Sequence, residues 1–554
     1  MSLTPIHRIQ GSGLFSDLDG QTVTTRGVVT GSTRKGFFIQ DPEGDVDEAV
    51  SHGVFVFERR RQPSVHSLVE VEGKVVNYQP APNARPTTQL VERTTRVLLD
   101  RGPQIRPFWL TADRVLVDHP KLTALLNSLE GMLVGVPAGS TFVAPSNSFG
   151  DYVVLPPDAE LTRTEHGGVL IDPRVPERWL PGFRVLDYAD APTVSVGAEL
   201  VEAIVGPLNF RVASYQMAVS GPVRIRNRDV EPRTTDLRHE DSSVTVLTLN
   251  GFNLDIHKEH PDRVNDPRRD IDDDVGDGRF HAIGAAIANN AASPTIVALQ
   301  EIQDNDGAEL STTVDAAYTY KGLIVAIQHA GGPTYAWAEI PPEDGADGGQ
   351  PGGNIRNAFL YDPSRVELVA GSLQLLGSDS PAYVGSRKPL AARFRLKNGG
   401  GELEVINVHL ASKRHQNGQF APEQPSFDPR QTVRVEQAEV IADRLAQLRQ
   451  QAVDYYVTGD FNDFEFSPTL RALTGDHSTN LVDRVPAPLR FDYNHRGTSQ
   501  ALMHGVVAKR QLEGRSVAYD ILHHNALIGS QPGRTGDKAS DHAYAVAKLE
   551  LRRA

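Results

Sequence analysis

Near Val244 the texture of the chain changes, and nothing else in it limits the fold as much. Before that point, short runs of β-branched and aromatic residues recur between Gly, Pro and Asp turns. After it, apolar strand-like runs alternate with stretches of helical spacing: Val244–Leu249, then Phe280, Ile283 and Ile287, then Thr295–Leu299. Glu404–Val408, the helical set Ala438, Ile441, Leu445 and Leu448, and Asp454–Thr458 continue the alternation, and Tyr544–Leu549 closes it. Strands that alternate with helices of 3.6-residue period make α/β layers, whereas short strands between turns make sandwiches or barrels. The 554 residues have room for roughly three or four domains. The expected organisation is a β module and connector over 1–107, a β-rich accessory domain over 108–228, a linker over 229–243 and an α/β domain over 244–554.

Within the first module, Val23–Thr30, Gly36–Gln40, Val54–Phe57 and Leu68–Val75 read as strands between polar turns, the pattern of a small barrel. Phe37, Phe38, Phe55 and Phe57 either fill that barrel or stack bases outside it. Pro80–Pro107, rich in Pro and Arg, reads as a connector. The second region shows strand signals at Glu130–Val134 and Gly206–Phe210 and carries no recognisable chemistry. Further on, the Gly-rich stretch Asp344–Gly353 reads as a mobile loop.

Composition excludes several classes. There is no cysteine, so disulfides, thiolate zinc sites and cysteine nucleophiles are ruled out. The net charge of −14 argues against a protein that coats nucleic acid over its whole surface, and leaves room for a basic or metal-bearing cleft. No apolar run reaches the length of about 18 residues that a membrane span needs. No protein partner is evident, and the first residues lack a basic-then-apolar leader pattern.

Polar groups of one kind mark the ends of the strands in the last region. Asn250, Glu301, His409, Asp460 and Asp541 each sit at such an end, where α/β folds build their sites. If Glu301, Asp460 and Asp541 converge, three carboxylates repel one another, and a hard divalent cation is the simplest relief. Taken singly, each is equally an ordinary turn residue.

The set Leu299-Gln300-Glu301, Asn407-Val408-His409-Leu410, Gly459-Asp460-Phe461-Asn462-Asp463 and Ser540-Asp541-His542, in that order, resembles the endonuclease/exonuclease/phosphatase superfamily, which includes pancreatic deoxyribonuclease and apurinic-site endonucleases. Gly352-Gly353-Asn354-Ile355-Arg356, Phe359-Leu360-Tyr361, Ser386-Arg387-Lys388 and Gly497-Thr498-Ser499-Gln500 resemble its branch of large bacterial extracellular nucleases, and the first module resembles the OB-fold attached to them. The resemblance implies a multi-domain chain: an OB-like barrel, a second β-rich domain, and a C-terminal four-layer α/β sandwich of two mixed sheets. It implies a secreted DNA endonuclease using a divalent cation, Mg2+ first and Mn2+ or Ca2+ as alternatives. Other phosphoesterases of this fold act on phospholipid or inositol phosphate, and a catalytically impaired nucleic-acid-binding relative is a further reading. Extracellular or periplasmic placement follows from the branch, with the cytoplasm left open.

Carried over position by position, Glu301, Asn250 and Asp541 hold the metal and Asp460 orients or deprotonates water. Asn462 binds the pentavalent state, and His409 and His542 donate to phosphate oxygens. Arg387, Asn354 and Tyr361 are implied contacts to substrate phosphate, with surface charge as the alternative for Arg387 and Lys388. The family supplies an aspartate to pair with His542. Its usual place reads Leu502-Met503-His504, so Asp520, in Ala518-Tyr519-Asp520-Ile521-Leu522, is the favoured partner. Arg434 and Gln437 read as a solvated helix face, and at least one of His523 and His524 as structural. The run Asp270–Asp277 fails the helix–loop–helix calcium pattern, with Val275 at the glycine position and His281 at the final glutamate. It reads as a solvated acidic loop, with a calcium site of another shape as the alternative.

Overall fold

The computed structural model describes residues 2–44, 49–80, 84–211, 213–398, 400–413, 419–421, 427–532 and 538–552. Near the N-terminus, five strands close into a barrel in the order Thr22–Thr33, Gly36–Gln40, Gly53–Phe57, Thr87–Leu99, Leu68–Tyr78. Val29, Ile39, Val54, Val56, Val69 and Val71 fill its interior. Thr87–Leu99, fifth of these strands along the chain, lies in the stretch that the sequence reads as connector. Its alternating β-branched residues instead pair along the whole length of Leu68–Tyr78 and close the barrel. Phe37 lies in the core and Phe38 is buried against Phe55 with ring centroids 4.9 Å apart, so neither offers an open face to a base.

Residues 108–226 carry a nine-stranded sheet around an aromatic core that includes Phe142, Tyr152, Phe183 and Tyr215. It is tied to the barrel by Ser51 Oγ donating to Glu130 O (2.5 Å) and Leu133 N donating to Gln40 Oε1 (2.7 Å). On its other side, Val169–Leu170 pairs in parallel with Thr498–Ser499 of the last region. That last region begins with Ser243–Leu254. Two mixed sheets, one of six strands and one of seven, pack face to face. Val246, Ala298, Phe359, Val405 and Tyr456 fill the space between them. Helices Arg279–Ala285 and Ala317–His329 cover the outer face of the first sheet, and Gln431–Gln450 covers that of the second. Ala438, Ile441, Leu445 and Leu448 form the buried stripe of the last helix, as their spacing predicts. Among the described residues no helix is long and apolar enough to cross a membrane.

Two structural details differ from expectation. The Gly-rich stretch Asp344–Gly353 is tied down: Asn354 accepts from Gly345 N (2.8 Å) and donates to Asp344 Oδ1 (3.2 Å), while Lys388 pairs with Asp347. In the run Asp270–Asp277, Asp270 and Asp274 are buried, while Val275, Gly276 and Asp277 stay exposed.

Candidate active site

Four strand ends converge because the two sheets are locked in relative register. Gln300 and Asn407, both fully buried, bridge them: Gln300 Nε2 donates to Asn407 Oδ1 (2.7 Å), and Asn407 Nδ2 donates to Leu299 O (2.8 Å) and Ala358 O (3.0 Å). The residue after Gln300 is Glu301, and two after Asn407 is His409. Register breaks between Leu299 and Ile302, and Glu301 adopts φ 53°, left-handed backbone inside a strand. Such a bulge re-aims one side chain at a local cost of order 1–3 kcal/mol, typical of functional positions. Here it turns the Glu301 carboxylate toward the second sheet.

The carboxylates then interleave with neutral and basic groups. Asn250 Nδ2 donates to Glu301 Oε1 (3.1 Å) and Asp460 Oδ2 (3.4 Å). His409 Nε2 lies 3.6 Å from Glu301 Oε1 and 3.8 Å from Asp460 Oδ2, and His542 Nε2 lies 3.7 Å from the same Asp460 oxygen. Asp460 Oδ1 accepts from Asn462 N (2.8 Å), where φ 52° turns the chain back, and Asn462 Nδ2 donates to Leu410 O (3.1 Å). Ser540 Oγ donates to Asn250 O (2.8 Å) and accepts from His542 N (3.1 Å), joining the last motif to the first. One oxygen of Asp541 is buried without a partner.

Electrostatics follow from this crowding. Burial, then the Asp541 charge, pushes the Glu301 carboxyl up to about 7. Burial also raises the pKa of Asp460, against the pull of His542. For His542, burial disfavours the charged ring, but Asp460, Asp541 and Asp492 outweigh it and push the pKa up to about 10. Ligand atoms of Glu301, His409 and Asp460 all lie within 4.8 Å of one another, a mixed oxygen and nitrogen set that can hold a divalent cation, while Asn250 presents its Nδ2 to it and gives its oxygen to Phe252 N (2.8 Å).

The partner of His542 is Asp492, not Asp520. His542 Nδ1 donates to Asp492 Oδ1 (3.1 Å), while Asp492 Oδ2 accepts from Leu502 N (2.8 Å) and Met503 N (3.0 Å). Asp520 points away, held by Arg233 and by Thr235 Oγ1 (2.6 Å). Residues 229–243 thus carry the cation that captures it. Met503 itself sits opposite Asp460 in the sheet, fully buried. Nothing local distinguishes Asp492, ten residues upstream in Arg490-Phe491-Asp492-Tyr493; only the turn that brings it beneath Leu502 does.

The other expected residues divide. Arg387 is buried and donates to Leu410 O (3.3 Å); burial lowers its pKa while Glu301 and Asp460 raise it, which places it in the field of the site. Asn354 is not there: its amide is spent on Asp304 Oδ2 (3.1 Å) and Thr313 O (2.7 Å). Tyr361 pairs across from Ile296, at the far end of the strand from Glu301, roughly 16 Å away at strand rise. Arg434 and Gln437 face inward, contrary to expectation. Arg434 pairs with Asp463 (3.2 Å) and Asp428, and Gln437 accepts from Ala411 N (2.9 Å) and donates to Ser386 Oγ (3.1 Å), beside Arg387. His523 is structural as read, with Nε2 2.9 Å from Leu489 O.

Beside the cluster runs a cleft of about 590 Å³. Arg178, Trp179 and Phe149 of the nine-stranded region line one wall, and Tyr493, Arg496 and Asp541 line the other.

This fold and constellation match a known class. The chain belongs to the endonuclease/exonuclease/phosphatase family, whose model matches residues 255–542, just over half of it. Residues 123–226 match a domain of unknown function. Similar solved structures include a family member from Bacteroides thetaiotaomicron (15% identity over 56% of this chain and 98% of that one, TM-score 0.36). A humanized TDP2 of D. rerio (14%, 56% and 99%, 0.35) and the catalytic domain of human Nocturnin (14%, 57% and 96%, 0.36) are similar too. No curated protein matches the chain.

Proposed function

We propose that this chain is a divalent-metal-dependent phosphodiesterase that cleaves nucleic acid, as a secreted DNA endonuclease whose OB-like barrel and accessory domain help hold the polymer. One observation carries the reading: Glu301, Asp460, His409, His542 and Asn250 meet within 3.1–3.8 Å of one another in a connected chain. Glu301, Asn250 and Asp541 would hold the cation, Mg2+ by preference, which would supply charge to neutralise a non-bridging phosphate oxygen and stabilise the leaving oxyanion.

The chain's own groups do the rest. Asp460 orients the attacking water and accepts its proton. His542, oriented by Asp492 and kept charged by Asp460, Asp541 and Asp492, donates to a phosphate oxygen that grows more negative in the transition state, and His409 does the same from the end of the seven-stranded sheet. Asn462 contacts the pentavalent phosphorus oxygens and Arg387 grips a substrate phosphate. The cleft supports a polymer because two regions of the chain wall it with arginines and aromatic rings.

The test is supercoiled plasmid with Mg2+ or Mn2+, with and without chelator. Chelator-sensitive nicking that disappears in Asp460→Ala is expected. Untouched plasmid alongside hydrolysis of inositol or lipid phosphates would replace the substrate assignment.

A further inference from the structure

A second group of carboxylates lies where the chain leaves the strands that carry Asn250 and Glu301, and shares no residue with the cluster already described. Asp255 follows Ser243–Leu254, Glu259 lies four residues on, and Asp272 and Asp274 precede the helix Arg279–Ala285. Oxygens of Asp255, Asp272 and Asp274 all lie within 4.8 Å of one another.

Hydrogen bonding fixes these groups without neutralising them. Asp274 Oδ2 accepts from Asp255 N (3.1 Å), and Asp255 Oδ1 from His257 N (2.7 Å). Glu259 Oε2 accepts from Asp272 N (3.0 Å), and Glu259 Oε1 from Ala308 N (3.3 Å), beyond the Glu301 strand. Among the described residues Arg279 is the one cation bonded to the group: it pairs with Asp274 and lies 3.7 Å from Asp272. Four carboxylates therefore face one guanidinium.

Two further observations point to a missing ligand. Asp255 is completely buried, and its Oδ2 has no hydrogen-bond partner. That oxygen faces Gly307, whose φ is 61°. A methyl group there would lie 2.8 Å from Asp255 Oδ2 and 2.5 Å from Glu259 Oε1, so the space in front of both oxygens is kept clear of side chain. Burial, then Glu259, Asp274 and Asp272, pushes the Asp255 carboxyl up to about 10 when nothing else compensates it.

We propose that Asp255, Glu259, Asp272 and Asp274 form a second cation site that binds calcium and ties the loop after the Asn250 strand to the loop after the Glu301 strand. The donors are carboxylates without histidine, which selects a hard cation. They come from irregular loop positions, which suits the flexible coordination of calcium better than the strict octahedron of magnesium.

The experiment uses the full chain, stripped with chelator and equilibrated with calcium chloride. Glu301→Gln, which weakens the cluster described first, should still retain one calcium per chain in equilibrium dialysis. It should also gain on the order of 2–4 °C or more in thermal midpoint on calcium addition. Asp255→Asn should lose both responses. Should Asp255→Asn not fold, the partly exposed Asp272→Asn takes its place and should weaken retention at least tenfold. The proposal is overturned if Glu301→Gln retains no calcium, if both Asp variants retain it unchanged, or if equimolar magnesium displaces it.

Discussion

The two carboxylate groups of the last domain use the same residue types at neighbouring strand ends, but their company differs. Around Glu301, Asp460 and Asp541 stand two histidines and two asparagines; Asp541 of this group and Asp272 of the other line the same cleft. Around Asp255, Glu259, Asp272 and Asp274 stand one arginine and a set of backbone amides. Crowded acids call for a cation in both places. Groups that donate, accept and titrate beside them make the first a place for chemistry; their absence from the second, among the described residues, leaves it able only to hold. Variants in the first group should therefore move turnover and spare stability, and variants in the second should do the reverse.

The largest effect is expected at Asp460. Asp460→Asn should lower phosphodiester turnover by roughly 10²–10⁴-fold with the thermal midpoint close to wild type. Retained turnover would end the division at its catalytic side. Next, Asp492→Asn should lower turnover by about 10²-fold and shift the alkaline limb of the rate profile to lower pH, because His542 loses the carboxylate that helps keep it charged. Asp520→Asn should leave turnover alone and cost at most about 1 kcal/mol, since its partner Arg233 is half exposed. A turnover defect confined to Asp520→Asn would reverse the assignment of the two aspartates.

Arg279→Met should cost about 3–5 kcal/mol in calcium-free buffer, because it leaves buried Asp274 without its counter-charge. Added calcium should restore part of that loss, as read by chemical denaturation. The smallest effect concerns pH. Glu301, held up at about 7, must lose its proton before it can hold a cation. Cation affinity at the first group should rise as pH rises, by up to about tenfold per unit below pH 7, and level off above it. A flat calorimetric titration between pH 6 and pH 8 would show that Glu301 is not a ligand.

Much of the domain was legible residue by residue. Glu301, His409 and Asp460 announced themselves because each ends an apolar run that reads as a buried strand, and Asp541 because it precedes one; strand ends are where such folds place chemistry. The misreadings share one cause. Asp520 looked like the partner of His542 because it lies near in sequence and on a suitable strand, but Arg233 and Thr235, more than 280 residues away, took it. Asp492 had no local mark. Arg434 and Gln437 looked like a wet helix face since charge and amide favour water, until Asp463, Asp428 and Ser386 satisfied them inside. Asn354 and Tyr361 belong to segments that serve the fold, one stapling a loop and one packing on Phe394 at the far end of its strand.

What the amino-acid order determined alone was the class of layers and the identity of the strand-end acids, since both depend on periodicity and on residue type over a few positions. Which carboxylate pairs with which histidine, which acids turn inward around Gly307, and which walls enclose the cleft were decided only in three dimensions. Those choices depend on distances between segments far apart in the chain, and no local pattern encodes a distance.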